Sequence, residues 1–323
     1  MRRFDDRATQ PVRGPGDIFK WKVLRKSDPR GDDYAELDKI RPGAREGGAA
    51  ALASGDPVAV WIGHASWGLR LGGKLVVIDP VFSNALSGVV KRLVPPAFPV
   101  EECPVPDIVM VTHDHRDHLD LPSIHALPDS ALYIVPIGNG ERVKKPNVVE
   151  LDWWQTHEVG DLKITLVPAR HWSMRMPWNR NQTLWGGYVI QAPEGTAYHS
   201  GDTATGEHFA EIGAKFPGID WAMMPIGAYS PRWFMSSQHV NPEESLAGFD
   251  ALGAKNFLAM HWGTFKLTDE AIGEPRKKIL ELWRDRDESA VVADGRRRSA
   301  ATFLIVYVYV HVTRGTCTVR RAT

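Results

Sequence analysis

Cysteine is nearly absent: the 323 residues include two, Cys103 and Cys317, far apart and outside any ligand spacing. That excludes a disulfide framework and a thiolate metal site, and it fits a reducing compartment. An excess of charge is missing too, because 39 Lys and Arg balance 39 Asp and Glu. No global positive field draws the chain to nucleic acid, and no nucleic-acid partner is expected. The N-terminus, Met1-Arg2-Arg3-Phe4-Asp5-Asp6-Arg7, lacks the apolar core of a secretory signal. The longest apolar run, Phe303 to Val310, falls far short of the ~20 residues that span a bilayer. The expectation is a cytoplasmic protein, attached at most to a membrane surface. With 43% apolar and 24% charged residues, a sizeable core is affordable and disorder is not the default.

Histidine is concentrated. Thr112-His113-Asp114-His115-Arg116-Asp117-His118 packs three imidazoles and two carboxylates behind the strand candidate Asp107-Ile108-Val109-Met110-Val111. In an extended segment His113 and His115 point the same way and can converge on one metal. A turn into helix would let Asp117 and His118 reach a neighbouring metal. Neutral imidazole and carboxylate are the ligands zinc takes in open catalytic sites. One loop cannot complete a binuclear site, and further candidates stand at strand ends: His171, Asp202 behind Gly201, and His261. Each alone reads as a structural residue; together they are the expected complement.

Residues 1–50 are polar and glycine-broken and read as an N-terminal extension that wraps the body or contacts membrane. From Val58, three strand candidates with Gly72-Gly73 between the last two suggest an antiparallel meander. Asn241-Pro242 with Glu244 is a capping-box start for a helix with Leu246, Phe249 and Leu252 inward and Gly253 as its stop. A second helix is expected from Pro275, burying Ile279, Leu280 and Trp283. Strands mixed with helices, with ligands at strand ends, indicate an α/β fold: an αββα sandwich with the site at one edge of its two sheets. The catalytic domain is set at 51–298, and 299–323 is a tail of unknown role.

The chain resembles the metallo-β-lactamase fold, whose signature is HxHxDH followed by distant His, Asp and His. Trp61-Ile62-Gly63-His64-Ala65-Ser66, Ile78-Asp79-Pro80, His171-Trp172-Ser173, Leu184-Trp185-Gly186-Gly187, Pro225 to Met235 with Gln238 to Glu244, and His261-Trp262-Gly263-Thr264-Phe265 are similar to N-acyl-phosphatidylethanolamine-hydrolysing phospholipase D and its bacterial relatives. The resemblance spans about residues 18 to 298. It implies two zinc ions, with other divalent transition metals open. His113, His115 and His171 would hold the first, Asp117, His118 and His261 the second, and Asp202 would bridge. Two such cations ~4 Å apart repel, and a bridging carboxylate lowers that repulsion. The implied activity is a phosphodiesterase of phospholipase D type on N-acyl-phosphatidylethanolamine-like lipids. A metal-bound hydroxide would attack phosphorus, with Asp117, Asp202 and His239 as the catalytic residues. A lactonase or related acyl hydrolase is the alternative, since the same hydroxide attacks carbonyl carbon.

Asp79 is either a turn residue before Pro80 or the carboxylate that orients a ligating imidazole, and His64 is a candidate for the same orienting role or a core histidine. His239 is the non-metal site candidate, binding phosphate or protonating the leaving oxygen, with Gln238 beside it. Tyr229, Trp172 and Trp185 either line the substrate pocket or belong to the core. Ile18, Phe19, Trp21, Val23 and Leu24 interleave with Lys20 and Lys22, followed by Arg25 and Lys26. That segment either lies on an anionic bilayer or clamps onto the body. The apolar tail from Phe303 reads as an added strand, an oligomer contact or a sticky end.

Overall fold

A computed structural model of the chain describes residues 4–8, 14–24 and 47–284, and the backbone alone of 303–304, 309–313 and 316–320. The domain limit placed at 298, and Arg25 and Lys26, lie outside the described residues.

Two mixed sheets share one plan. In the first, β1 (Val58–Gly63), β2 (Ser66–Leu71) and β3 (Lys74–Ile78) form an antiparallel meander. A short hairpin, β4 (Ala85–Leu86) and β5 (Val90–Lys91), follows outside the sheet. Then β6 (Ile108–Met110), β7 (Leu132–Pro136) and β8 (Val148–Leu151) continue from β3 in parallel. In the second, β9 (Thr156–Val159), β10 (Leu162–Val167), β11 (Gly187–Ala192) and β12 (Gly195–His199) are antiparallel. They are followed in parallel by β13 (Trp221–Pro225), β14 (Asn256–Met260) and β15 (Phe303–Leu304). The backbone of the tail thus supplies an added strand at the sheet's edge, and β16 (Tyr309–Thr313) pairs with β17 (Thr316–Arg320) alongside β1 of the first sheet. The expected Gly72-Gly73 hairpin is present; both glycines have positive φ, which a two-residue turn of this hand requires.

The period of two decides where each side chain goes. Along β1, Ala59 and Trp61 face the space between the sheets, while Val58, Val60 and Ile62 pack outward with Leu52. In β6, Ile108 and Met110 point inward and Val109 outward. Both faces are buried, so these strands read as continuous apolar runs. Helix α1 (Pro15–Phe19) precedes both sheets, and the outer layer on the first sheet packs through Leu52 of α2 (Gly48–Ala53), Ile124 of α3 (Leu121–Ala126) and Val143 of α4 (Gly140–Val143).

On the second sheet lie α5 (His208–Lys215), α7 (Pro242–Leu252) and α8 (Glu274–Arg284), with the short α6 (Arg232–Met235) preceding α7. Helix α7 begins as expected: Asn241 accepts from the Glu244 amide at 2.8 Å, and the Glu244 carboxylate accepts from the Asn241 amide at 3.1 Å. It ends at Gly253 in the left-handed region. Phe249 and Leu252 are buried, whereas Leu246 is half-buried because Ser245 and Gly248 take the closest approach. A Cβ on Gly248 would stand 2.8 Å from the Phe209 ring of α5, so these helices touch through glycine. In α8, Ile279 is buried and Trp283 meets Phe249 and Phe257, while Leu280 is half-buried. The result is an αββα sandwich.

In each sheet the meander gives way to parallel strands, at β3/β6 and at β12/β13. Loops leaving the carboxyl ends of parallel strands diverge there and open a crevice. Loops following β1, β3, β6, β10, β12, β13 and β14 all meet at that end.

Candidate metal centre

The histidine-rich loop does not follow the simple extended-then-helix path. Residues 111–118 are irregular, and His115 accepts from the amides of His118 and Leu119 at 3.1 and 2.8 Å, making one turn before α3 starts at Leu121. That turn swings Asp117 and His118 away from His113 and His115.

Two groups of ligand atoms result. In the first, His115 Nδ1 is 2.9 Å from His113 Nε2 and 3.1 Å from His171 Nε2. Asp202 Oδ2 is 3.7 Å from both of those Nε2 atoms. In the second, His261 Nε2 stands 3.4 Å from Asp117 Oδ2 and 3.1 Å from Asp202 Oδ1, and His118 Nε2 stands 3.2 Å from Asp202 Oδ2. Asp202 therefore faces both groups. His64 joins the second, with Nε2 3.0 Å from Asp117 Oδ2. His239 Nδ1 is 3.9 Å from the same Asp202 carboxylate, closer to the cluster than a pure substrate contact requires.

The donor set fits divalent cations. Nitrogens ~2.0–2.1 Å from a tetrahedral ion lie ~3.3 Å apart, a few tenths of an ångström more than the 2.9 and 3.1 Å in the first group. Buried His118 Nε2, Asp202 Oδ1, His239 Nδ1 and His261 Nε2 have no hydrogen-bond partner of good geometry, an uncommon concentration of unmet polar atoms.

Neighbouring residues fix which nitrogen is offered. Buried Asp79 accepts from His118 Nδ1 at 2.7 Å, leaving Nε2 for the cluster, and also from the Thr112 amide and hydroxyl at 2.7 Å each. The Gln238 carbonyl accepts from His171 Nδ1 at 3.0 Å. The His64 amide donates to Thr264 Oγ1, and its carbonyl accepts from the His261 amide. His64, Asp79 and His261 all have positive φ, a conformation unusual for residues with a Cβ and typical of constrained sites. Trp61 stacks on Trp262 at 5.4 Å, tying β1 to the end of β14 beside the centre.

Charge follows burial and pairing. Burial lowers the pKa of His115 to about 3, reinforced by His171, and lowers His171 to about 4 against the pull of Asp202. Burial likewise holds His113 well below the usual range. Burial opposes ionisation of Asp117 and Asp202, yet His118 and the other imidazoles hold both well below the carboxylate range. Burial also opposes protonation of His261, but Asp202 and Asp117 push it up to about 9. The first group thus presents neutral ligands, while protons sit in the second where a cation would displace them.

Above the cluster lies a cleft of about 510 Å³, floored by His115, Asp117, Asp202, His239 and His261 and walled mostly by apolar side chains. Trp172 and Gln238 line it, joined by a 2.5 Å bond from Trp172 Nε1 to Gln238 Oε1. Tyr229 and Trp185 are not brought there. The Tyr229 hydroxyl donates to Glu274 at 2.7 Å behind the site, and Trp185 is buried with Nε1 donating to the Ala169 carbonyl. Both satisfy their polar tips internally, which makes them core residues and corrects their assignment to substrate. Residues that sequence reasoning missed include Thr112, whose hydroxyl links Asp79 to the ligand loop, and Trp21, Phe234 and Met235, which wall the cleft. Trp21 packs on Phe234 at 4.8 Å and donates to Asp269 at 2.5 Å, so the N-terminal segment is clamped through this residue.

A sandwich of two mixed sheets with a His/Asp cluster at the carboxyl ends of its strands defines a metal-dependent hydrolase. Residues 74–262 match the beta-lactamase superfamily domain, and the chain belongs to the metallo-β-lactamase superfamily. It is 37% identical over 278 residues to an uncharacterised protein of Mycobacterium tuberculosis, covering 81% of this chain and 72% of that one. It is 34% identical over 251 residues to N-acyl-phosphatidylethanolamine-hydrolyzing phospholipase D 1 of Caenorhabditis elegans, covering 71% and 70%. The mitochondrial N-acyl-phosphatidylethanolamine-hydrolyzing phospholipase D of Saccharomyces cerevisiae is 35% identical over 237 residues, covering 69% and 51%. Among solved structures, a metallo hydrolase of Ignicoccus hospitalis superposes with a TM-score of 0.57 at 18% identity, covering 83% of this chain and 99% of that one. No helix among the described residues is long and apolar enough to cross a membrane.

Proposed function

We propose that the protein is a binuclear zinc-dependent phosphodiesterase of phospholipase D type, acting on N-acyl-phosphatidylethanolamine-like lipids. The observation that carries this reading is the large apolar cleft opening directly onto the His/Asp cluster. A soluble phosphodiester needs little apolar wall, whereas an amphiphile needs its phosphate at the metals and its chains against Trp21, Phe234 and Met235. The two named phospholipase D relatives point the same way.

His113, His115 and His171 would hold one ion and Asp117, His118 and His261 the other, with Asp202 between them. When bound, the ions supply Lewis acidity and a nucleophilic water at neutral pH. The chain's own groups do the positioning. Asp79, the Gln238 carbonyl and His64 keep the ligand atoms aimed. His239, kept neutral because burial depresses its pKa, offers a ring N–H to a phosphoryl or leaving oxygen. The apolar walls exclude bulk water and strengthen each of these polar contacts.

The test is a substrate panel on zinc-loaded protein, pairing N-acyl-phosphatidylethanolamine and soluble phosphodiesters with lactones. Release of phosphatidic acid is expected, with His239→Ala lowering turnover at unchanged metal content. Turnover of lactones alone would overturn the phosphodiesterase in favour of an acyl hydrolase.

A further inference from the structure

Large apolar side chains that remain exposed are few, and they are not scattered. Among the described residues they are Ile18, Phe19, Val23, Val89, Met176 and Trp178, between 37% and 80% exposed, with Val105 the one outlier in position. Val89 itself lines the cleft from the β4–β5 hairpin. Ile18, Phe19 and Val23 flank Trp21, which forms a cleft wall. Met176 and Trp178 follow Met174 and Arg175, which line the cleft from another lip. Arg116 ties the lips together, donating to Ser87 Oγ at 2.7 Å and to the Arg175 carbonyl at 3.2 Å. An apolar rim around one opening marks an interaction surface rather than ordinary surface composition.

Charge selects the occupant. The chain is neutral overall, but residues 16–26 carry Lys20, Lys22, Arg25 and Lys26 against the single acid Asp17. The Lys22 ammonium lies 3.6 Å from the Trp21 ring and 3.7 Å from the Asp269 carboxylate, and exposed Lys20 directly follows exposed Phe19, so both cations stand next to the apolar rim. Exposed apolar side chains interleaved with cations match the boundary between acyl chains and anionic headgroups.

We propose that this rim docks the protein on an anionic phospholipid surface. Ile18, Phe19 and Val23 enter the headgroup region, so a lipid moves along Trp21 into the cleft without crossing bulk water. Trp21 stays bound to Asp269 as the fixed pivot of that wall. The proposal rests on the lipid-hydrolase reading for its purpose, but the docking itself is measurable without any turnover.

The experiment compares the wild-type chain with the triple variant Ile18→Ser, Phe19→Ser, Val23→Ser, which leaves Trp21 and the cluster intact. Each is sedimented with vesicles of phosphatidylcholine and phosphatidylglycerol, and with phosphatidylcholine alone. Its mass in solution is measured, and it is assayed on a short-chain soluble phosphodiester. The expected result is wild-type binding to the anionic vesicles that weakens with salt, and partitioning reduced at least about tenfold in the triple variant. The soluble rate and thermal midpoint should stay unchanged. Lys20→Gln with Lys22→Gln should weaken only the anionic component. Equal partitioning of wild type and triple variant overturns the proposal. So does a wild-type dimer that the triple variant splits with no effect on vesicles, since a second copy would then occupy the rim. If neither chain cleaves the phosphodiester but binding falls as expected, docking stands and the proposed substrate fails.

Discussion

Asp79→Asn separates orientation of a ligand from ligation itself. Asparagine tolerates the left-handed backbone at position 79 and keeps the shape of the carboxylate, so the loop should fold as before. Its carbonyl can still take the Thr112 amide now bonded at 2.7 Å. Its amide nitrogen must then face the Thr112 hydroxyl, which can rotate, and His118 Nδ1, which cannot. A donor placed 2.7 Å from a donor forces His118 either to lose that bond or to move its proton to Nε2, the atom 3.2 Å from Asp202. A proton on Nε2 removes the lone pair offered to the second ion. Partners of this kind are worth 10- to 100-fold in metal affinity, or ~1.4–2.7 kcal/mol. Competition against a chromophoric chelator should show one of two equivalents weakened by that factor while the other is retained, with a thermal midpoint close to wild type for the metal-free protein. Two unaltered affinities would show that His118 does not hold metal through Nε2 in the tautomer set by Asp79.

Two further outcomes follow from the same geometry. Asp202→Asn should lower both metal retention and turnover, because a neutral amide cannot offset charge on both sides; elemental analysis beside the rate checks it, and full occupancy at two equivalents would refute the bridging role. Burial, helped by Arg170, lowers the pKa of His208 to about 4, so its neutral form is favoured in the fold. The stability it contributes is fully present above the unfolded value of ~6.5 and is lost as pH falls through about 4, on the order of 3 kcal/mol in all. His208→Gln should flatten the urea-unfolding free energy across that window relative to wild type; an unchanged acid slope would refute it.

Legibility in the sequence followed the range of the interaction. The spacing His113-x-His115-x-Asp117-His118 is local, and the chain needs only one turn to present it, so the convergence of these side chains was readable although the form of the turn was not. The helix start at Asn241-Pro242 with Glu244 was readable for the same reason, since its hydrogen bonds close within three residues. Contacts between distant segments were not. Nothing near Tyr229 in sequence shows that Glu274, 45 residues on, would take its hydroxyl. Trp21 gave both readings at once, because its ring is buried against Phe234 while its neighbours Phe19 and Val23 remain in solvent. The shared plan of the two sheets was hidden because equivalent strands have different spacings along the chain.

The clustered His and Asp side chains come from both halves of the sandwich: the loop after β6 belongs to one sheet, and His171, Asp202 and His261 follow strands of the other. Under the ligation proposed above, a bound ion pair is a clasp across the seam between two separately hydrogen-bonded layers. Folding and metal supply are then one equilibrium: free zinc at a hundred times its dissociation constant adds ~2.7 kcal/mol per ion to the folded state, and scarcity subtracts it. The abundance of such a protein would register how much metal the cell can spare.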